Sequence, residues 1–162
     1  MGFFVYITGE FDCIRCGKRN DAVFQTKLLQ SNADTYGRTY TIGDTGIVDG
    51  LDGYAPLYPW GGTGELIVIA GDWDCRHCSQ SMQWAKIMFD VERDGMYLYG
   101  KIVDVSAFIP SPATLHGVHF VEYDLVELSE HWYSNKPVEF RKEALADAYS
   151  RWREECIAEK RT

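Results

Sequence analysis

Two cysteine pairs with the same spacing are the residues of this sequence best suited to chemistry. The stretch "FDCIRCGK" contains Cys13 and Cys16, and "WDCRHCSQ" contains Cys75 and Cys78. In both, an aromatic residue and an aspartate precede the Cys-x-x-Cys motif, and a small residue follows it. Each motif can form a short turn that presents two thiolates, and two turns supply the four sulfurs that tetrahedral zinc prefers. The matched pairs therefore predict one zinc site made from two distant segments.

These motifs resemble those of the zinc ribbon and zinc knuckle families, in which two Cys-x-x-Cys turns close over one zinc ion. Two features differ from the usual pattern: 58 residues lie between Cys16 and Cys75, and Ser79 stands where the first motif has Gly17. The long spacer predicts a whole layer of sheet between the turns. The resemblance implies a structural four-cysteine site with one zinc ion per chain, but no activity, because zinc ribbons serve many functions. A small residue after the second cysteine suits a turn with positive φ.

Other interpretations of the cysteines remain open at this stage. A redox pair or a disulfide is one alternative, but a thioredoxin-like motif sits on a strand-to-helix turn, and "SQSMQWAKIMF" leads into a hairpin. His77 could replace one of the four thiolates as a ligand. The fifth cysteine, Cys156, falls on the apolar side of a predicted helix, so we expect an inert core thiol there.

Length and composition predict a single domain over residues 1–162. The chain has 46% hydrophobic and 14% aromatic residues, which is enough for a packed core. No apolar run approaches the roughly 18 residues expected of a membrane span, and the N-terminus lacks the basic region of a signal peptide. We therefore expect a cytoplasmic protein without membrane association, in which thiols stay reduced.

The charge of the chain is acidic and unevenly distributed. The net charge is −8, from 24 acidic and 16 basic residues. Residues 138–162 carry six acids and six bases, so the whole acidic excess lies in residues 1–137. Such a surface repels phosphate backbones, which argues against nucleic acid as a partner, and it favours a protein partner with a basic surface. The simpler alternative is that the acidic surface only maintains solubility.

The pattern of apolar residues predicts an α+β fold. An antiparallel β-rich domain with two zinc knuckles occupies about residues 1–130, and an amphipathic helix of about residues 137–159 packs on it. "AKIMFDVERDGMYLYGKIVDV" predicts a hairpin with its turn at Asp94 and Gly95, while "FIPSPATLHG" is a predicted loop and "VHFVEYDLVEL" a predicted strand. The apolar residues of the helix fall at spacings of three and four: Leu145, Ala148, Tyr149, Trp152, Cys156 and Ile157.

Residues 43–64 are predicted to form a long loop, since they include seven glycines and two prolines. Loops longer than about 12–15 residues within compact domains are usually functional or disordered. Aromatic and acidic residues together are typical of an interface with a basic partner. The candidate partner-binding residues are Asp49, Asp52, Tyr54, Tyr58 and Trp60. The alternative is that these aromatic side chains fold inward as a minor core.

A weaker candidate site is "HGVHFVE", which contains His116, His119 and Glu122. On a helix these residues would share one face, as metal ligands do, but in the predicted strand residues three apart point to opposite faces. A second metal site there remains an alternative to ordinary polar strand residues.

We therefore expect a non-enzymatic, zinc-stabilised protein-binding module, such as an inhibitor or immunity-type protein that binds a basic partner. Two alternatives remain. One is a metal-dependent enzyme that uses His116 and His119. The other is a zinc-ribbon nucleic-acid-binding protein with a local basic patch at Lys18, Arg19 and Lys27.

Overall fold

The computed structural model describes residues 4–26, 28–29, 37–48, 63–81, 83–122 and 138–161, with side chains of the last range described for residues 139–155. The elements in this part of the chain are β1 Val5–Asp12, β2 Arg19–Thr26, β3 Thr39–Tyr40, β4 Thr45–Ile47, β5 Gly64–Trp73, β6 Gln83–Asp94, β7 Tyr97–Phe108, α1 Pro112–Leu115, β8 Phe120–Val121 and α2 Val138–Arg161. This content of strands with one long C-terminal helix confirms the predicted α+β class. No helix within the described ranges is long and apolar enough to cross a membrane.

The strands form two sheets. The smaller sheet has the order β2-β1-β3 and the larger has the order β4-β7-β6-β5-β8. The long strands pair antiparallel, as predicted, but the two-residue strands β3 and β8 pair parallel with β1 and β5. Neither short strand is joined to its partner by a tight hairpin turn, so its direction is not restricted to antiparallel.

The larger sheet is the middle of three layers. Its inner face packs on the smaller sheet, where Ile7 and Phe24 meet Val68 and Ile87 in one buried cluster. Its outer face carries Ile69, Trp84 and Val121, which pack with Leu145 and Ala148 of α2. Because neighbouring residues of a strand point to opposite faces, a middle layer must be apolar on both sides. The almost continuous burial from Leu66 to Gly71 in β5 follows from this position.

The helical stripe packs as the sequence predicted for the residues whose side chains are described. Leu145 is completely buried, and the Tyr149 ring lies 5.8 Å from that of Trp84 and 5.3 Å from that of Trp152. Trp152 is only half-buried, so the stripe is less deeply covered at that turn. The side chains of Cys156 and Ile157 lie outside the described residues, and the expectation of an inert core thiol at Cys156 stays a prediction.

Three local predictions need correction. The predicted loop 43–64 includes β4, which pairs with β7 and leads to buried Val48, because β7 offers an open edge there. The predicted loop "FIPSPATLHG" contains α1, whose Ser111 side chain accepts a hydrogen bond from Thr114 N–H in a capping box. The β6–β7 turn consists of Gly95 and Met96, one residue later than expected, since Asp94 pairs with Tyr97. In "VHFVEYDLVEL", the described strand is β8.

Candidate metal centre

Each Cys-x-x-Cys motif forms the tip of an antiparallel hairpin. The first cysteine turn (residues 13–18) joins β1 to β2, and the second cysteine turn (residues 75–80) leads from β5 towards β6. In the first, Cys13 N–H donates to the Lys18 carbonyl over 3.0 Å, and Gly17 N–H donates to the Cys13 carbonyl over 2.9 Å. The second turn repeats both bonds between equivalent residues, at 2.9 and 2.8 Å. The two turns therefore share one backbone geometry.

The residue after the second cysteine has a positive φ in both turns, as the sequence predicted. Gly17 has a φ of 74° and Ser79 a φ of 62°. Glycine adopts this left-handed conformation freely, whereas a residue with a Cβ is strained by about 1–2 kcal/mol. Within the described part of the chain, Ser79 is the only residue other than glycine with a positive φ. The second turn is therefore formed at the cost of some backbone strain.

Aromatic packing beneath the turns brings the two hairpins together. Phe11 and Trp73, each two residues before the first cysteine of its motif, are almost fully buried with ring centroids 5.3 Å apart. Phe24 packs on Phe11 and against Gly71, where an added Cβ would lie 2.0 Å from Phe24 Cδ2. This close approach of β2 to β5 is possible only with glycine, and it places both turns at the same end of the molecule.

The four cysteine sulfurs form one cluster. Cys13 Sγ lies 3.7 Å from Cys78 Sγ, and Cys16 Sγ lies 3.6 Å from Cys75 Sγ. All four ligand atoms lie within 4.8 Å of one another. Four sulfurs bound at about 2.3 Å to one tetrahedral ion would lie about 3.8 Å apart, whereas disulfide-bonded sulfurs are about 2 Å apart. The spacing therefore fits a single metal ion and not a disulfide.

Asn20, four residues after Cys16, reaches from β2 to the second cysteine turn. It is 1% exposed, and its Nδ2 donates to Cys75 Sγ over 3.4 Å. Its Oδ1 accepts a hydrogen bond of 2.9 Å from Arg76 N–H, and Nδ2 also donates to the Lys18 carbonyl over 3.0 Å. Asn20 thus links its own turn to the opposite turn.

Gln83, five residues after Cys78, makes the equivalent contacts in the other direction. It is 2% exposed, and its Nε2 donates to Cys13 Sγ over 3.5 Å and to the Gln80 carbonyl over 3.1 Å. Its Oε1 accepts a hydrogen bond of 3.1 Å from Ile14 N–H. The two amides therefore connect the cysteine turns reciprocally. Sequence analysis missed both residues, although an amide side chain four or five residues after each motif was a usable signal.

Hydrogen bonds lower the pKa of the first cysteine in each motif. Burial raises the pKa of Cys75, but the N–H groups of Cys78 and His77 and the Asn20 amide outweigh it, so the pKa falls to about 6. Burial raises the pKa of Cys13 too, but hydrogen bonds from the Cys16 and Arg15 N–H groups and from the Cys78 side chain together outweigh it, so the pKa of Cys13 is also lowered. The lowered pKa of both cysteines favours the thiolate, which is the form that binds metal.

The pKa of Cys78 moves the other way. Burial raises it most, and the neighbouring thiols Cys13, Cys75 and Cys16 raise it further, to about 12. Four negative charges cannot gather in this volume without a cation, so some thiols retain their protons. A bound divalent ion would displace these protons, which couples metal binding to proton release.

His77 and the second candidate site use their side chains elsewhere. His77 is exposed, and its Nε2 lies 3.1 Å from the Arg19 carbonyl oxygen. His116 is exposed where α1 ends, and His119 Nδ1 accepts a hydrogen bond of 3.0 Å from Ile67 N–H. Glu122 is buried, where Oε2 accepts a hydrogen bond of 3.0 Å from Thr26. In the ranges that the structure describes, the four cysteines alone form a group with metal-ligand spacing.

The candidate partner-binding residues of the loop lie outside the described residues. They are Asp49, Asp52, Tyr54, Tyr58 and Trp60. Lys27, part of the suggested basic patch, also lies outside them. These assignments stay predictions.

Comparisons of the chain with protein-family models, with curated proteins and with solved structures gave no match.

Proposed function

We propose that the protein binds one zinc ion through Cys13, Cys16, Cys75 and Cys78, and that the ion has a structural role. The cluster of four sulfurs within 4.8 Å is the observation that carries this proposal. Four thiolates complete the tetrahedral coordination of zinc and leave no position for a water or substrate, which is the pattern of structural sites. The ion would join the β1–β2 hairpin of the smaller sheet to β5 and β6 of the larger sheet, in place of the disulfide that a reducing compartment forbids.

The test is the metal content of protein purified without added metal. We expect about one equivalent of zinc per chain, and four thiols that become reactive only after chelation. Iron also accepts four sulfurs in this geometry, and it would be recognised by visible absorption. Less than about half an equivalent of any metal, together with freely reactive thiols or a disulfide, would contradict the proposal.

The biological role that we propose is non-enzymatic binding of a protein partner with a basic surface, as an inhibitor or immunity-type protein would bind. Two observations support it. The net charge of −8 attracts cationic surfaces and repels phosphates. The four cysteines of the proposed metal site would leave no coordination position open, and within the described ranges neither His116 nor His119 belongs to a group of three or more potential metal ligands. A cytoplasmic location belongs to the same proposal.

Partner binding is tested by capture from the native cell, with the binding measured again on purified components. If the loop 43–64 contacts the partner, Trp60→Ala should weaken binding by about 2 kcal/mol or more while the melting temperature changes little. Tyr97→Ala, an exposed aromatic residue of β7, is the control. A large fall in melting temperature with unchanged affinity of the folded fraction would show that Trp60 is a core residue instead.

Nucleic-acid binding is the second candidate, because exposed lysine and arginine side chains surround the cysteine turns. Arg15, Lys18, Arg19 and Arg76 are all exposed there. However, four thiolates and one divalent zinc ion carry a net charge of −2, and nearby bases stabilise such a centre without any further ligand. A salt-sensitive shift of DNA or RNA, abolished by Arg15→Gln with Arg76→Gln while zinc is retained, would favour this candidate.

A further inference from the structure

A surface groove lies where the smaller sheet meets the larger sheet. Its volume is about 570 Å³, and it runs over the outer face of β1 and β2 towards β7. Its lining includes Thr8, Glu10, Asp21, Val23, Ile42 and Asp104. None of these residues belongs to the cysteine cluster or to the second candidate site. The groove is large enough for several side chains of an extended peptide and is open to solvent.

One side of the groove is an open edge of β1. Tyr6 N–H donates to the Arg38 carbonyl over 2.8 Å, so the backbone N–H groups of Tyr6, Thr8 and Glu10 face away from β2. The pairing of β1 with β3 ends at Ile7 and Tyr40, because the chain then turns towards β7. In the described part of the chain, no strand pairs with β1 on this side beyond Ile7. The Glu10 N–H and carbonyl therefore face the groove.

The chain between β3 and β4 closes the other end of the groove. Thr41 N–H donates to Asp44 Oδ2 over 2.9 Å, and Gly43 N–H donates to the Ile102 carbonyl over 2.8 Å. Ile42 in this turn and Val23 of β2 both line the groove, and these residues are 51% and 55% exposed. Exposed aliphatic side chains beside an open strand edge favour binding of another strand.

The charges of the groove indicate what kind of strand would bind. Glu10 and Asp21 are directly opposite each other in the β1–β2 register, and like charges in such a pair are destabilising. Arg19, which also lines the groove, compensates only in part, through contacts of 3.5 Å with both Glu10 and Asp12. Asp104 adds a further acid from β7. A cationic ligand would relieve this repulsion.

We propose that the groove binds a short, extended, basic peptide segment, which adds as a strand to the open edge of β1. Its backbone would pair with that of Glu10. Alternate side chains of the added strand would lie on the same face of the sheet as Glu10 and Asp21, so basic residues at those positions would contact the acids. Main-chain hydrogen bonds provide affinity in such strand addition, and alternate side chains provide specificity. This inference rests on the proposed function as a binder of basic proteins, and it names the surface and the form of the partner.

The probe is a synthetic peptide of alternating lysine and valine. A peptide of the same composition with the lysines grouped at one end controls for charge alone. A third peptide, N-methylated at alternate residues, cannot complete the backbone ladder. We expect the alternating peptide to bind at least about tenfold more tightly than either control. Binding should also slow hydrogen exchange of the Glu10 N–H by about tenfold or more, whereas the exchange of Asp94 N–H at the far end of β6 should not change.

Matched variants separate the groove from the general acidity of the protein. Asp21→Asn with Asp104→Asn should weaken peptide binding by about tenfold at low salt, and less at high salt. Asp90→Asn with Glu92→Gln removes the same charge from exposed positions of β6 and should have little effect. Equal binding of the alternating and grouped peptides, equal effects of the two variant pairs, or unchanged exchange at Glu10 would overturn the inference.

Failure of the inference can be distinguished from failure of the proposed function. A basic partner that binds the wild type and the Asp21→Asn, Asp104→Asn variant equally, while the alternating peptide does not bind, would show that the partner uses another surface. If the zinc-loaded protein binds neither the alternating peptide nor any basic partner, both the inference and the proposed function are rejected. Peptide binding at the groove with the expected pattern supports the inference directly.

Discussion

Asn20 and Gln83 occupy equivalent places on the two hairpins, and each donates a hydrogen bond to the first cysteine of the other hairpin. The distances are 3.4 Å from Asn20 Nδ2 to Cys75 Sγ and 3.5 Å from Gln83 Nε2 to Cys13 Sγ. Each amide oxygen accepts the N–H of the residue after that cysteine. The reciprocal contacts fix how the two turns face each other, so these amides orient the cysteines of the proposed metal site without being ligands themselves.

Removal of either amide should therefore weaken metal binding to a similar extent. We expect Asn20→Ala and Gln83→Ala each to lower zinc affinity by about 10–100-fold, because groups that orient ligands commonly contribute that much. Competition with a chromophoric chelator measures the effect. Gln25→Ala, an exposed position on β2, is the control and should bind zinc as the wild type does. Wild-type affinity in both amide variants would mean that the turns hold their geometry without the cross-links.

The backbone of the second cysteine turn predicts that Ser79→Gly stabilises the protein. Relief of the positive φ at Ser79 should raise the free energy of unfolding of the zinc-loaded protein by about 1 kcal/mol. The reverse change at the equivalent position, Gly17→Ser, should lower it by a similar amount. Denaturant titration of both variants in the presence of zinc measures this. An unchanged or lower stability of Ser79→Gly would show that the serine side chain compensates for the strain.

His119 should make stability depend on pH in mildly acidic solution. Burial lowers its pKa in the folded state, an effect that the nearby Glu65 carboxylate only partly offsets, and an imidazolium could not accept the bond from Ile67 N–H at Nδ1. The unfolded chain, with a pKa of about 6.5, then binds the proton more readily than the folded protein. The contribution of neutral His119 to the free energy of unfolding is complete above about pH 6.5. It is lost as the pH falls through the lower folded-state pKa.

His119→Asn keeps an acceptor near Ile67 and removes the titration. We expect its stability to fall less steeply than that of the wild type as the pH drops below about 6.5. His116→Asn, at an exposed position, is the matched control and should follow the wild type. Because all three proteins keep the same cysteines, acid release of zinc affects them equally. If the free energy of unfolding falls with pH equally steeply in His119→Asn and in the wild type, the prediction is contradicted.

The packing of α2 on the larger sheet predicts a strong dependence on Leu145. This side chain is completely buried in the cluster with Trp84 and Ile69, so Leu145→Ala should lower the free energy of unfolding by about 2–5 kcal/mol. Glu143→Ala, on the exposed face of the same helix, should change it little. Chemical denaturation followed by tryptophan fluorescence is the measurement. A small effect at Leu145 would indicate that the helix is not held by this contact.

The sequence by itself determined the features that depend on local spacing. Two thiolates three residues apart can share one ion in a tight turn, so Cys13, Cys16, Cys75 and Cys78 could be chosen without knowing the fold. The positive φ after each motif, the β6–β7 hairpin and the apolar stripe of α2 likewise depend on residues that are close in the chain. Each of these was therefore predictable to within one or two residues.

Only the tertiary structure decided which distant groups meet. Asn20 and Cys75 are 55 residues apart, and their contact depends on the packing of Phe24 against Gly71, which no local pattern encodes. The same holds for the groove, since the acids of β1 and β2 meet Asp104 of β7 only after the sheets pack. His119 and Glu122, adjacent enough in sequence to suggest one site, make separate contacts with Ile67 and Thr26 on opposite sides of β8. Reactive residues at a fixed spacing can be recognised from the sequence, whereas contacts between sheets follow from how the buried faces of the sheets fit together.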